Sequence, residues 1–198
     1  MLATGVVGDA NLPPTGGSAT SSTVLTVPSI LTASAAANST SGALSPFPNA
    51  TASSKVTNPV LTIPGLTLKA DVLEEDSTSV NGGDSPSPNP PCSGPVNTCY
   101  RAVIANLTIN GMSLPNRTCP LPLGPNPAAA SPAGVNCEIA IPQPDGSIID
   151  IKVNEQLPLS NTGSDEGQAN AIHVYVLKGS FITAEVIITH AESGAFTS

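Results

Sequence analysis

Twenty-one prolines and seventeen glycines punctuate this chain of 198 residues, and the apolar runs left between them are short and mostly alternating. A helix interior tolerates neither residue well. Alternation with period two is what a strand with one buried face requires. The chain is therefore expected to be all-β. Composition agrees: charged residues are 10% and aromatics 3%, with no Trp, whereas a helical bundle or coiled coil would need many Glu, Lys, Arg and Leu. Six Lys and Arg against fourteen Asp and Glu give a net charge of −8. Phosphates would be repelled, which excludes nucleic acid as a partner. No apolar run approaches the ~18 residues of a membrane span, and a mean hydropathy of +0.14 is too apolar for wholesale disorder.

Residues 1–21 are rich in Gly, Pro, Ser and Thr, with one β-prone patch at Gly5-Val6-Val7. Ser22–Val27 alternates Thr with Val and Leu and stops at Pro28, so it reads as a strand; Ile30–Ala37 is ambiguous and 38–54 loop-like. In Lys55–Leu73, Leu66, Leu68, Ala70 and Val72 are expected on one face and Thr67, Lys69, Asp71 and Leu73 on the other. Glu74-Glu75-Asp76 is expected to end that strand in solvent, ahead of a long loop over 77–98. Cys99–Leu114 carries Asn110-Gly111, a strong hairpin signal. A second long loop covers 115–136. Cys137–Ile141 and Ser147–Val153 flank the turn Pro142–Gly146, residues 154–170 read as polar loop, and Ala171–Leu177 with Phe181–His190 forms the last hairpin. The expected fold is a β-sandwich or jelly-roll-like body with long Pro/Gly-rich loops. It divides into an extended N-terminal segment, 1–27, and a single β-rich domain, 28–198.

Four cysteines, Cys92, Cys99, Cys119 and Cys137, lie in or beside the loops. Their spacing holds no C-x2-C pair, so two disulfides in an oxidising compartment are expected rather than zinc. Of the three connectivities, Cys92–Cys99 with Cys119–Cys137 closes the shorter Pro-rich loops. Sequons stand at Asn38, Asn49, Asn106 and Asn116, which makes covalent sugar a candidate partner. Asn106 is expected to point away from an apolar face shared by Val103, Ala105, Leu107 and Ile109. Met1–Thr4 has neither the basic nor the apolar part of a signal peptide. Leu12-Pro13-Pro14-Thr15-Gly16 matches a sorting pattern but sits near the wrong terminus, and reads as a turn.

Catalytic chemistry is sparse. The two histidines, His173 and His190, read as ordinary strand residues, His173 on a face with Tyr175 and Leu177 and His190 with Val186 and Ile188. No G-x-S-x-G or HExxH motif is present. Glu74-Glu75-Asp76 and Asp165-Glu166 lack calcium-loop spacing. Lys69, Lys152, Asn154 and Glu155 are the residue types of a Lys–Asn isopeptide bond but are brought together only by sequence. With two Tyr and no Trp, a sugar-processing groove is poorly equipped. No catalytic residue, metal or cofactor is expected.

Taken in order, Val60–Leu66, Ala105–Gly111, Ile151–Gln156, Asn170–Val174 and Val186–Ala191 give the chain a resemblance to the choice-of-anchor P family of secreted bacterial surface proteins, over about residues 5–194. The resemblance implies export and retention at the cell surface, with no catalytic residues, while the chain stops at Ser198 without an anchor of its own. The expected function is an extracellular structural protein whose partners are copies of itself, a filament or surface-layer subunit. Its expected mechanism is β-strand addition, with residues 1–27 as donor and Val6, Val7, Val24, Leu25 and Val27 as the buried side chains. The alternatives are a monomeric adhesin and an enzyme built on His173 or His190.

Overall fold

The computed structural model describes residues 10–13, 15–44, 49–80, 98–113, 136–158 and 164–196. In chain order the strands are β1 (Gly17–Val27), β2 (Leu31–Ala43), β3 (Asn49–Thr57), β4 (Val60–Ile63), β5 (Leu66–Lys69), β6 (Val72–Val80), β7 (Thr98–Ala105), β8 (Thr108–Ile109), β9 (Met112–Ser113), β10 (Cys137–Pro142), β11 (Ile148–Pro158), β12 (Ser164–Lys178) and β13 (Phe181–Phe196). They form two antiparallel sheets, one ordered β7-β6-β3-β2-β4-β5-β8-β9 with β1 on β2, the other β10-β11-β12-β13. Leu61, Leu68, Leu73 and Ile104 of the first sheet share one core with Ile149, Ile151, Ile172 and Ile188 of the second. The all-β sandwich expected from the sequence is the observed architecture, and no described residue is helical.

Several of the short strands are halves of longer ones. β3 and β4 run on into each other, as do β5 and β6, and β7 and β8. Thr57 pairs with Val72 and Val60 with Lys69, so Asn58 falls opposite Asp71 without loss of register. Val72 pairs with Ala105 and Lys69 with Thr108, so Asn106 falls opposite Asp71 from the other side. Asn58 and Asn106 have φ of 50° and 53°. The backbone stays joined across this row, Asn58 N donating to Asp71 O and Asp71 N to Ala105 O. β2 crosses the same line with a bulge, Ser34 and Ala35 together opposing Val24 of β1 between the pairs Thr23–Ala36 and Leu25–Ala33.

The second sheet repeats the device. Val153 pairs with Ile172 and Glu155 with Asn170, leaving Asn154 opposite Ala171. Asn170 pairs with His190 and Ile172 with Ile188, leaving Thr189 opposite Ala171. Asn136, Asn154 and Thr189 have φ of 54°, 52° and 60°. A left-handed residue in a strand turns the next side chain onto the face that alternation had assigned to its neighbour. Burial shows the inversion on every strand crossed. Inward positions run Leu66, Leu68, Ala70 and then Leu73, Glu75, Ser77; on the next strand they run Ala102, Ile104 and then Leu107, Ile109. On β12 they run Ile172, Val174 on one side of the row and Gly167, Ala169 on the other.

The inversion corrects the expected faces. Leu73 is fully buried where it was expected opposite Leu66 and Leu68, and Leu107 and Ile109 share their face with Ala102 and Ile104 rather than with Val103 and Ala105. The acidic triplet does not end the strand in solvent. β6 continues to Val80, Glu74 and Asp76 point outward to Lys55 and Arg101, and Glu75 is 0% exposed. The segments read as loop or ambiguous at 31–54 and 154–170 contain β2, β3 and the ends of β11 and β12. Small residues stand on these strands where aliphatics would mark a buried face, so alternation of apolar residues does not reveal them. Ser77 and Ser79 lie on the inner face and meet the Ser193 hydroxyl at 2.7 and 2.8 Å. A Cβ at Gly167 would collide with the Tyr100 hydroxyl.

Turn readings hold. Asn110 and Gly111 both have positive φ, as the Asn-Gly hairpin requires. Gly65 has φ of 82° between Ile63 and Leu66. Gly16 N donates to Pro13 O at 2.9 Å, making the LPxTG stretch a turn. The boundary at residue 27 does not divide the fold, because β1 pairs along β2 from Gly17 to Val27.

Asparagine is the non-glycine residue that tolerates left-handed backbone best, and a β-branched residue pays most there. Asn154→Ala is expected to lower stability by about 1–2 kcal/mol, and Thr189→Gly to raise the thermal midpoint. Urea and thermal denaturation of the two variants read both signs.

Candidate functional site

In the second sheet the inversion assembles a polar cluster. Lys152, His173 and Tyr175 stand on the face turned away from the apolar core. Strict alternation would send Glu155, Asn170 and His190 to the opposite face, and the inversions at Asn154, Ala171 and Thr189 bring them to this one. With these inversions, all six meet. His173 Nδ1 donates to Glu155 Oε2 at 2.6 Å and Nε2 to Glu185 Oε1 at 2.7 Å. Asn170 Nδ2 donates to the same Glu155 oxygen at 2.8 Å, and His190 Nδ1 donates to Asn170 Oδ1 at 2.7 Å. Lys152 Nζ lies 3.4 Å from Glu155 Oε1 and 5.4 Å from the centre of the Tyr175 ring. The Tyr175 and His173 rings lie 4.0 Å apart.

Burial by itself would favour the neutral forms of Glu155 and His173. It is outweighed: hydrogen bonds from His173 and Asn170, with the charges of His173 and Lys152, bring the Glu155 carboxyl down to about 2. The two carboxylates raise the His173 imidazole above its ordinary value. Burial, with Glu155, Glu185 and Asp150 nearby, pushes the Tyr175 hydroxyl up to about 12. Asp150 is also raised, first by burial and then by Glu138, and its Oδ1 is buried without a partner.

This corrects the sequence reading of the histidines. His190 is not on the face of Val186 and Ile188, and His173, 4% exposed, is the centre of an ion network rather than an ordinary strand residue. The set contains the imidazole, carboxylate and hydroxyl that an enzyme would need, since Tyr175 Oη lies 3.1 Å from His173 Nδ1. Its arrangement favours the protonated imidazole. A protonated imidazole with a carboxylate on each nitrogen has no lone pair to offer as a base. The network ties β11, β12 and β13 together by side chains in addition to their ladders.

The other sequence candidates separate. Leu25 is buried in the core of its own sheet, Val27 packs against that core, and Val24 is exposed at the bulge; Val6 and Val7 lie outside the described residues. The inter-subunit role expected of Leu25 and Val27 is therefore corrected to an intramolecular one, because β1 pairs with β2 and both side chains pack on the core of their own sandwich. Cys99 and Cys137 are disulfide-bonded, while Cys92 and Cys119, and with them the expected pairing, lie outside the described residues. Asn38 is in the middle of β2, paired with Ser21 and Ser54, and Asn49 opens β3. Asn106 is exposed, but its Nδ2, the atom a glycan would occupy, donates to Asp71 at 2.6 Å. Asn116 lies outside the described residues. Asn154 Oδ1 accepts from Gln156 Nε2, not from a lysine, so the isopeptide geometry is not formed there. Among the described residues no group of acids, histidines and cysteines is arranged to hold a metal ion, and no helix could cross a membrane.

Two further features stand out. β13 is 16 residues long and pairs with β12 on one side; among the described residues no strand occupies its other side. Its exposed apolar side chains are Phe181, Ile182 and Ile187. At one end of the sandwich a cavity of about 530 Å³ opens between the sheets, lined by Ile30, Ile63, Val174, Val176, Ala184 and Val186 among others.

No protein-family model, curated protein or solved structure matches the chain. The resemblance to the choice-of-anchor P family therefore rests on the five sequence segments alone.

The unpaired acid Glu75 and the cluster around His173 impose a pH profile. The low value of Glu155 stabilises the fold above the ordinary 4.5, and that contribution is lost as pH falls through about 2. The raised value of His173 stabilises below the ordinary 6.5, and is lost as pH rises through its folded value. Glu75 is raised well above 4.5, first by burial and then by Asp76; both its oxygens lack partners, so stability falls as pH climbs above 4.5. The thermal midpoint is expected to peak near pH 4.5 and decline toward pH 8. Glu75→Gln should raise the midpoint at pH 8 and leave it nearly unchanged at pH 4. A flat wild-type profile in calorimetry would refute this.

Proposed function

We propose that the chain is a non-enzymatic extracellular structural protein, a self-assembling subunit of a filament or surface layer joined by β-strand addition. The observation that carries the reading is the open edge of β13. A strand that long, with no strand on its other side among the described residues and an exposed Ile187, is a template for another strand. The opposite edge of the same sheet is guarded: β10 has six residues and ends at Pro142, which cannot extend a ladder. The network from Glu155 through His173 to Glu185 holds β13 in place, as a docking edge requires. The disulfides at Cys99 and Cys137 support an oxidising compartment, and the family resemblance supports the cell surface. Residues 17–27 pair with β2 of their own chain and are not the donor strand in this reading. A sugar-binding adhesin is less well supported, because the cavity is aliphatic and offers few polar groups for hydroxyls.

Ile187→Lys places a charge on the edge without touching the core, since Ile187 is 39% exposed. Electron microscopy and sedimentation of the wild-type chain should show fibres or sheets, and the variant should stay a folded small species. Assembly that is equally extensive in the variant would overturn the edge-pairing mechanism.

A further inference from the structure

The open end of the sandwich is defined by four turns, at Ser29-Ile30, Pro64-Gly65, Gln143–Ser147 and Gly179-Ser180, and the cavity lies between the first three and the final hairpin. Its wall is mostly apolar, with Ser29, Thr62, Gln143, Asp145 and Ser147 as its polar members, and contains no aromatic ring. Such a space does not hold water well, because a water molecule there would find few polar partners. The final hairpin lines it with Val176 and Ala184, which pair with each other. Two steps further along the ladder, Lys178 pairs with Phe181. Phe181 is 75% exposed, in a chain with three Phe in all. An unfilled apolar hole and an unburied aromatic knob therefore stand side by side at the same end.

The charges at the rim point to the occupant. Asp145 is the one ionisable residue among those that line the cavity. Its carboxyl is held ionised, first by the hydroxyl and backbone N–H of Ser147, and it feels the ammonium of Lys178. A chain carrying −8 overall would repel a copy of itself over most of its surface. At this end an anion and a cation stand together, so two copies related by a two-fold axis can set each Asp145 against the other's Lys178.

We infer that the cavity-bearing end is a self-association surface, at which Phe181 of a second copy enters the cavity between the sheets while Asp145 and Lys178 pair across the axis. The contact is distinct from edge pairing at β13: it closes as a dimer, whereas edge addition propagates. Aromatic anchors that fill pockets carry a disproportionate share of interface energy, so Phe181 is the residue on which the contact depends.

The test is sedimentation equilibrium of the full chain in the Ile187→Lys background, which separates this contact from the edge. Phe181→Asp alters an exposed side chain and should weaken dimer formation roughly tenfold or more. Lys178→Glu should weaken it too, and the swap Lys178→Glu with Asp145→Lys should restore it. The inference is overturned if Phe181→Asp dimerises as tightly as its parent, or if the swap is no better than Lys178→Glu alone. It is also overturned if decanoic acid binds the cavity of the parent protein without shifting a dimer equilibrium, since the cavity would then belong to a small apolar ligand. If Ile187→Lys leaves assembly untouched while Phe181→Asp abolishes it, the edge reading fails and this one stands.

Discussion

A strand cannot keep alternating through a left-handed residue, and each sheet of this sandwich is crossed by a row of them. Asn58 and Asn106 flank Asp71 in one sheet; Asn154 and Thr189 flank Ala171 in the other. Hydrogen bonding across the first row is kept by the backbone groups of Asn58, Asp71 and Ala105. What changes is which side chains face inward, and the change happens on neighbouring strands together. A lone inversion would bring polar groups into the core against the apolar face of the next strand. Coordinated inversion keeps both halves of each sheet consistent, which is why register passes through the rows unbroken.

The two halves of the interior differ as a result. On one side of the rows the sheets meet through Leu, Ile and Val. On the other they meet through Ser77, Ser79, Ser193, Ala169, Ala191 and Gly167. Small side chains let the sheets approach and exchange direct hydroxyl bonds, such as Ser77 to the Gly167 carbonyl at 3.0 Å. Tyr100 uses the space that Gly167 leaves. Glu75 is the cost of this region: a carboxyl in register with Ser54 and Ala102, buried without a donor and therefore favoured as the neutral acid.

The same row that shapes the interior builds the outer cluster. Glu155, Asn170 and His190 join Lys152, His173 and Tyr175 because the pleat reverses between them. The network reaches β13 through Glu185 and His190, so the longest strand of the sheet, which has no neighbour on its other side among the described residues, is tied to β12 by side chains as well as by its ladder. Rigidity at that edge favours pairing with another chain, since little order has to be gained on contact.

The all-β class was legible from the proline and glycine content and from the alternation in Val60–Leu68 and Ile148–Val153. The turns at Asn110-Gly111 and Pro64-Gly65 were legible too, because turn chemistry is local. Alternation could not be carried past Asn58, Asn106, Asn154 or Thr189, since nothing local says which asparagine will adopt positive φ. The inversions at Asn106 and Thr189 put Leu107 and His190 on faces that alternation does not give, the one at Asp71 does the same for Leu73 without a positive φ, and together they hide the cluster around His173. The Ser/Thr/Ala-rich strands β2 and β3 were hidden for a related reason: small polar residues signal a loop unless an opposing sheet is there to accept their hydroxyls. The sequence by itself thus determined the strand-forming character of the chain and its turns, which are properties of neighbouring residues. The inverted rows, the buried acid and the imidazole between two carboxylates were decided by the tertiary structure, because each depends on what the neighbouring strand and the facing sheet present.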